Sequence, residues 1–346
     1  MASQYHCTQF LNQFPEPGTE ESINGFITSS IGAVVSVYRP YHYYLLTSVV
    51  LFAFFANILI VTVLSNKEMR SSGINVTMML IAVCDLGCAS SGLCQQFLRR
   101  YSDLYSSYQT AYAQIIVDYF QVAFHAASLY LAAGLAFCRV VSLSSPNKNR
   151  DTWQSPRYSI RVALILCFPV FIIASFILFL NEVKEEYSSG IVLLDISEFA
   201  LKNQCLFLKL ALITSGSLFK IKEAQKKSNS IAHNQRNKDA QIDRSSRFIQ
   251  FLLVVFVVTE FPQGFFSILG GLSINDYINY YQHLSIFMNL LAFFNTTTSF
   301  IIYSALSSKF RQLFWRLFIP RFISNRFTRN RAVVVMPSTV LSSNAV

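Results

Sequence analysis

Charge is scarce in this chain: 13% of its 346 residues are charged against 53% hydrophobic, and the mean hydropathy is +0.40. That scarcity excludes a water-soluble core of this size, whose helices would carry a polar face. The run around Leu51, Phe52, Phe54 and Phe55 is apolar on every side. Strand-like alternation is lacking too, which excludes a membrane barrel. The five histidines, His6, His42, His125, His233 and His283, are scattered. Neither His-Glu-x-x-His nor Gly-x-Ser-x-Gly occurs, so no enzyme is indicated. Internal repeats are absent, which counts against a transporter, and no charged or carbonyl-lined pore segment points to a channel. Cys84 and Cys88 share one helix face, a pattern of core packing rather than metal binding. Residues 1–42 hold no basic stretch followed by an apolar one, so no cleavable signal peptide is read, and the first apolar run serves as the targeting signal.

What the chain does have is long apolar runs. Seven are read as spans, at about 43–64, 74–94, 114–137, 162–180, 205–219, 248–269 and 284–306. A hydrocarbon core about 30 Å thick needs roughly twenty apolar residues in a helix, and lipid offers no partner to an unpaired backbone group. The fold class is therefore an all-α seven-helix membrane bundle. It is flanked by an outer tail at 1–42, an outer loop at 181–204, a basic inner loop at 220–247 and a cytoplasmic tail. Within that tail, Phe310, Leu313, Phe314, Leu317 and Phe318 recur at helical spacing against Lys309, Arg311, Arg316 and Arg321. This predicts an amphipathic helix at 307–322 lying in the inner interface, with residues 323–346 disordered beyond it.

With the N-terminus outside, the inner loops and tail hold 22 of the 28 basic residues. The positive-inside rule therefore orients the chain with its N-terminus extracellular and its C-terminus cytoplasmic, in the plasma membrane. The net charge of +10 lies beside membrane ends and mostly on one side, so anionic inner-leaflet lipid or an acidic cytosolic partner explains it better than nucleic acid. On the outside, ten acids including Glu182, Glu185, Glu186, Asp195 and Glu198 face five bases, a surface that draws cationic ligands.

Each polar residue inside a span needs an account. Asp85 lies near the middle of span two, where an unpaired carboxylate costs several kcal/mol. Asn57 in span one, Ser128 in span three, and Asn295 and Ser299 in span seven lie at similar depth. Together they form either a hydrogen-bonded glue between helices or a sodium or proton site that biases a conformational equilibrium. In span six, Pro262 removes a backbone donor and leaves Val258 without its partner, so the helix kinks there. Glu260 beside it is a candidate for ligand or switch contact, or a protonated acid bonded to a neighbouring carbonyl. Pro169 could kink span four in the same way. Arg139 closes span three, where on spacing alone it is a snorkelling anchor.

Asn57, the Leu-Ala-x-x-Asp-like pattern ending at Asp85, Arg139, Pro262, and Ser299-x-x-x-Tyr303 in place of Asn-Pro-x-x-Tyr fall in the order found in rhodopsin-like G-protein-coupled receptors, which the chain resembles. The stretches Lys67 to Arg70, Thr259 to Gln263 and Ser307 to Arg311 look most like the nematode serpentine receptors of class W, relatives of FMRFamide-type peptide receptors. The resemblance spans roughly residues 43–318. It implies a chemosensory or neuropeptide receptor with an outward pocket between spans three, five, six and seven, and a cytoplasmic cleft for a heterotrimeric G protein. Asp118, Gln121, Glu260 and Gln263 are then the ligand-pocket candidates. Asp85, Ser128, Asn295 and Ser299 would form a sodium-type site, the one cofactor implied. Arg139 would engage the G protein, Pro262 would be the hinge, and Tyr303 would swing inward on activation. The aminergic subfamily places an Asp eighteen residues before the Arg, where this chain has Gln121. A peptide or other environmental ligand is favoured over a monoamine, and the acidic face would suit an Arg-containing peptide.

The chain also departs from that pattern. Cys138 replaces the acid before Arg139, which leaves this Arg without its local restraint, and Ser299 with a Thr-rich run weakens the span-seven switch. No Cys opens span three; Cys205 has Cys94 or Cys7 as candidate disulfide partners. Asn75 and Asn295, the two glycosylation-type motifs, fall within spans, and no Cys follows the interfacial helix to carry a palmitoyl group. Span five, Cys205 to Phe219, covers only about 22 Å at 1.5 Å per residue and contains Lys209. The alternative reading is thus a receptor remnant lacking about half a helix; a transporter comes behind it.

Overall fold

The computed structural model describes residues 21–102, 107–144, 155–186, 191–202, 251, 254–255, 258–266 and 282–318. Among these, five helices are long and apolar enough to cross a membrane: Gly32–Leu64, Gly73–Tyr101, Tyr108–Cys138, Pro156–Phe179 and Leu284–Ala305. The shortest has 22 residues, about 33 Å of rise, enough for the hydrocarbon core. They lie over the sequence-derived spans one to four and seven. Of span six, residues 258–266 are helical, whereas 205–219 lies outside the described residues.

In chain order the elements are α1 (Glu21–Leu64), α2 (Lys67–Arg70), α3 (Gly73–Ser102), α4 (Tyr108–Ser144), α5 (Pro156–Ala174) with a 3-10 extension (Ser175–Phe179), β1 (Asn181–Glu186), β2 (Ile191–Ile196), α6 (Glu198–Lys202), α7 (Gln282–Leu306) and α8 (Ser308–Phe318). Helix α1 begins well before the first apolar span read from the sequence. Its 44 residues rise about 66 Å and carry Pro40 inside, so the segment taken for an outer tail is helical from Glu21. Arg39 and Pro40 mark a boundary in the sequence, but the apolar stretch Ile31, Gly32, Ala33, Val34, Val35 extends the helix beyond them.

The bundle packs through small residues, as expected where lipid is as apolar as the helices and close van der Waals contact drives association. A Cβ on Gly87 would lie 2.7 Å from the Phe124 ring, and one on Gly134 would lie 2.5 Å from Leu166. At Gly92 the Phe293 ring comes closer still. Two apolar clusters result. The first gathers Leu46, Val50, Ala53, Cys88, Ala89 and Phe293. The second joins Ile60, Met78, Leu131, Leu135 and Ile302 to Tyr303, Phe310 and Leu313. Ile165 and Phe168 on α5 instead stay 71% and 72% exposed, an apolar face turned away from the bundle and suited to lipid.

Helix ends are set by local chemistry. Ser155 caps α5 through Tyr158 N, with Pro156 in the first turn where its missing N–H costs nothing. Ser307 interrupts α7 and accepts from Phe310 N at 3.2 Å, starting α8. Arg311 donates to the Ser304 and Ala305 carbonyls at 3.0 and 2.7 Å, satisfying the end of α7. Phe310 and Leu313 are buried against the bundle, while Trp315, Leu317 and Phe318 remain exposed beside Lys309 and Arg316.

The segment after span four holds structure that the sequence reading left as a plain loop. β1 and β2 pair antiparallel, with Val183 opposite Leu194 and Glu185 opposite Val192. Ser197 fixes the hairpin's base to the end of α5, its N–H on the Leu180 carbonyl at 2.9 Å and its hydroxyl on the Phe179 carbonyl.

Candidate functional site

Span three places Asp118, Gln121, His125 and Ser128 at steps of three, four and three residues, a polar stripe along one face of α4. Each member meets a polar partner on a different helix. Gln95 of α3 donates to Asp118. Gln121 Nε2 reaches Asn289 Oδ1 of α7 at 3.5 Å, the outer limit of a hydrogen bond. His125 Nε2 lies 3.3 Å from Glu260 Oε2 of span six, and Ser128 donates to Asp85 Oδ1 of α3 at 2.6 Å. At the Asp118 end of the stripe, Arg99 lies within electrostatic reach of both Asp118 and His42, and Tyr38 bonds His42 at 3.0 Å while stacking on Phe287.

The single cluster expected around Asp85 is divided. Asp85 is 3% exposed and held by Ser128, but Asn295 donates to Glu260 at 3.2 Å instead. Asn57 donates to the Ala53 and Thr296 carbonyls at 2.9 and 3.0 Å, joining α1 to α7. The reason is helical geometry: adjacent residues 295 and 296 point about 100° apart, so one faces span six and the other α1. Ser299 is buried on the same helix. Thr296, Thr297 and Thr298 return their hydroxyls to carbonyls three or four residues back, which satisfies them without outside partners. For a small hard cation, the Asp85 carboxylate and the Ser128 hydroxyl bonded to it are suitable oxygens. The set fits sodium in kind.

Glu260, expected to face a ligand or a switch, is 4% exposed and bridges His125 and Asn295, so it ties spans three, six and seven together. Pro262 follows in the same helical stretch, where Thr259 Oγ1 donates to the Val255 carbonyl at 3.0 Å. Gln263 is partly buried one residue on. His125 was missed because it was judged among scattered histidines. The available signal was its register with Asp118, Gln121 and Ser128 on an otherwise apolar helix. Cys88 is buried in the first cluster beside His125, and Cys84 meets Cys167 of α5.

At the opposite end of the bundle, Tyr303 is 3% exposed and donates to Asn75 Oδ1 at 3.3 Å, while Asn75 donates to the Met69 carbonyl at 3.0 Å. The Tyr303 and Phe310 rings lie 5.3 Å apart, and Arg316 of α8 meets Glu68 at 3.2 Å. Arg139 lies within α4. Of the disulfide candidates, Cys94 is an exposed free cysteine, and Cys7 and Cys205 lie outside the described residues. On α6, the Lys202 ammonium bonded to Glu198 holds that carboxyl below its usual range, which keeps it charged.

A family model described as the serpentine type 7TM GPCR chemoreceptor Srw matches residues 44–191 and 198–320. The chain is also similar to the G-protein coupled receptor dmsr-1 of Caenorhabditis elegans, 24% identical over 366 aligned positions that cover 85% of this chain and 71% of that relative.

Proposed function

This chain belongs to the Srw family of serpentine seven-transmembrane G-protein-coupled receptors, and from that membership we propose that it converts binding of an extracellular peptide into activation of a heterotrimeric G protein. The observation that carries the reading is the polar stripe on α4, whose members bind partners on α3, span six and α7. A ligand entering from the acidic outer face meets Asp118 first, then Gln121, then the His125 and Glu260 pair beside Pro262. Occupancy at the outer end of this stripe is thereby linked to the helix that carries Pro262. Gln263 and Asp118 line the approach, and a peptide with cationic groups suits it better than a monoamine.

In this reading the N-terminus is extracellular, the C-terminus is cytoplasmic, and α8 lies on the inner leaflet of the plasma membrane. Arg139 engages the G protein once span six moves outward, and Tyr303 leaves Asn75 in the same step. Asp85 and Ser128 would hold sodium, which when bound offsets the buried carboxylate. The test is a peptide-library screen with calcium or cyclic-nucleotide readout in cells expressing the chain, repeated in cells without the relevant Gα subunits. Peptide responses that vanish with the G protein support the reading. Peptide uptake that persists without it would establish a transporter instead.

A second reading, a receptor remnant with a shortened span five, is favoured by one observation. Residues 205–219 make only about 22 Å of helix and contain Lys209. A receptor lengthened within span five that responds where the native chain is silent would support this second reading.

A further inference from the structure

Two thiols meet across a helix interface on the far side of the bundle from α1. Cys84 of α3 and Cys167 of α5 share a hydrogen bond, both are free, and both pack against the second apolar cluster.

The fold brings them to one level. Each lies eleven residues after the first residue of its helix, Gly73 or Pro156, about 16 Å along at 1.5 Å per residue. One crossing, α4, separates α3 from α5, so both run the same way and both sulfurs sit near the middle of a hydrocarbon core about 30 Å thick. Gly134 of α4, having no side chain, lets Leu166 approach and seats α5 one residue before Cys167.

Cys88, one turn from Cys84 on the same helix, is a poor competitor. Side chains four apart on a helix hold their Cβ atoms about 5–6 Å from each other, whereas a disulfide needs about 3.8 Å. Cys84 therefore has its bonding partner across the interface and not along its own helix. Access is from the lipid side: both cysteines are partly exposed, and their neighbours Val83, Leu164 and Phe168 are exposed on the apolar surface. A thiolate, the reacting form, is costly in such surroundings. The shared hydrogen bond offsets part of that cost, because a thiolate on either sulfur accepts the other's S–H.

We propose that Cys84 and Cys167 are a modification site at which a lipid hydroperoxide closes a disulfide between α3 and α5, fixing the rotation of α3 beside Asp85. One sulfur attacks the terminal peroxide oxygen: an S–O bond forms, the O–O bond breaks, and the alkoxide leaves as the alcohol with that thiol's proton. The second sulfur then attacks the sulfenic sulfur. The S–S bond forms, the S–O bond breaks, and hydroxide leaves as water with the second proton. The two thiols together lose two electrons, and the hydroperoxide gains them. Asp85 follows Cys84 directly and accepts from Ser128, so a tie at residue 84 also holds that carboxylate toward α4.

The test exposes the full chain in lipid nanodiscs, without ligand or G protein, to cumene hydroperoxide. Remaining thiols are alkylated with N-ethylmaleimide in denaturant, and the unreduced protein is mapped by peptide mass spectrometry. The expected result is a peptide pair joined through Cys84 and Cys167, with both alkylation sites lost. Melting temperature should rise by a few degrees and return to its starting value with dithiothreitol. Cys84→Ser and Cys167→Ser should each abolish the pair and the rise, and Cys88→Ser should keep both; the mapping of the native chain stands whether or not a variant folds. The proposal is overturned if Cys84 and Cys167 are recovered alkylated while the exposed Cys94 has been oxidised, or if the joined pair forms only after unfolding. It is equally overturned if Cys84 is found joined to another cysteine, or if the bond leaves melting unchanged.

Discussion

At the scale of single residues, the account turns on polar groups that lipid makes costly to leave unpaired. His125 and Glu260 are the pair joining span three to span six, at 3.3 Å and with little exposure on either side. Interhelical polar contacts in membranes contribute modestly, because the unfolded chain also finds partners. A double-mutant cycle with His125→Leu and Glu260→Leu should thus give a coupling of about 1 kcal/mol in unfolding measurements. Strictly additive losses would show that the two side chains do not act together. The depth of Asp85 and Glu260 was legible in the sequence because a carboxylate amid apolar neighbours stands out. The partition of their partners was not. Which face of span seven Asn295 takes depends on the rotation of that helix against span six, a tertiary quantity that no local pattern encodes. His125 was hidden for a different reason: its polar companions Asp118, Gln121 and Ser128 lie along one helix face and not beside it in the chain.

At the scale of elements, packing by small residues makes a sharp demand. Gly92 faces Phe293, a ring only 1% exposed, at a separation that leaves no room for a side chain. Gly92→Val should destabilise the bundle by about 1–3 kcal/mol, the usual cost of overpacking, and reduce the folded receptor recovered from cells. Adding Phe293→Leu should restore much of the yield; no recovery would place the clash elsewhere. Helix α8 makes a second prediction. The chain has two tryptophans, Trp153 and Trp315. With Trp153→Phe as background, fluorescence from Trp315 should be quenched by lipids brominated near the headgroup and little by those brominated at the chain ends. Quenching by neither would remove α8 from the interface. The amphipathic pattern of α8 was readable because Phe310, Leu313 and Phe314 repeat at helical spacing. The start of α1 was obscured by Arg39 and Pro40, and the hairpin at 181–196 by strands whose residues mix acids with apolar groups and show no clean alternation.

At the scale of the whole molecule, the bundle belongs to a seven-span receptor family, and the orientation read from its charges sets which loops face the cytoplasm. The bundle character was legible because the thickness of the hydrocarbon core sets helix length directly. Residues 205–219 were the weakest part of that reading, being short and carrying Lys209. Every functional statement about span six, from the Pro262 hinge to the His125 contact, needs spans five and six both to cross, which would put the basic loop at 220–247 in the cytoplasm. An epitope inserted after Asn234, probed by antibody in intact and then permeabilised cells, tests this directly. The account predicts labelling only after permeabilisation, with an N-terminal tag on the same chain labelled in both states. Labelling of the inserted epitope on intact cells would mean that spans five and six do not cross, and would contradict it.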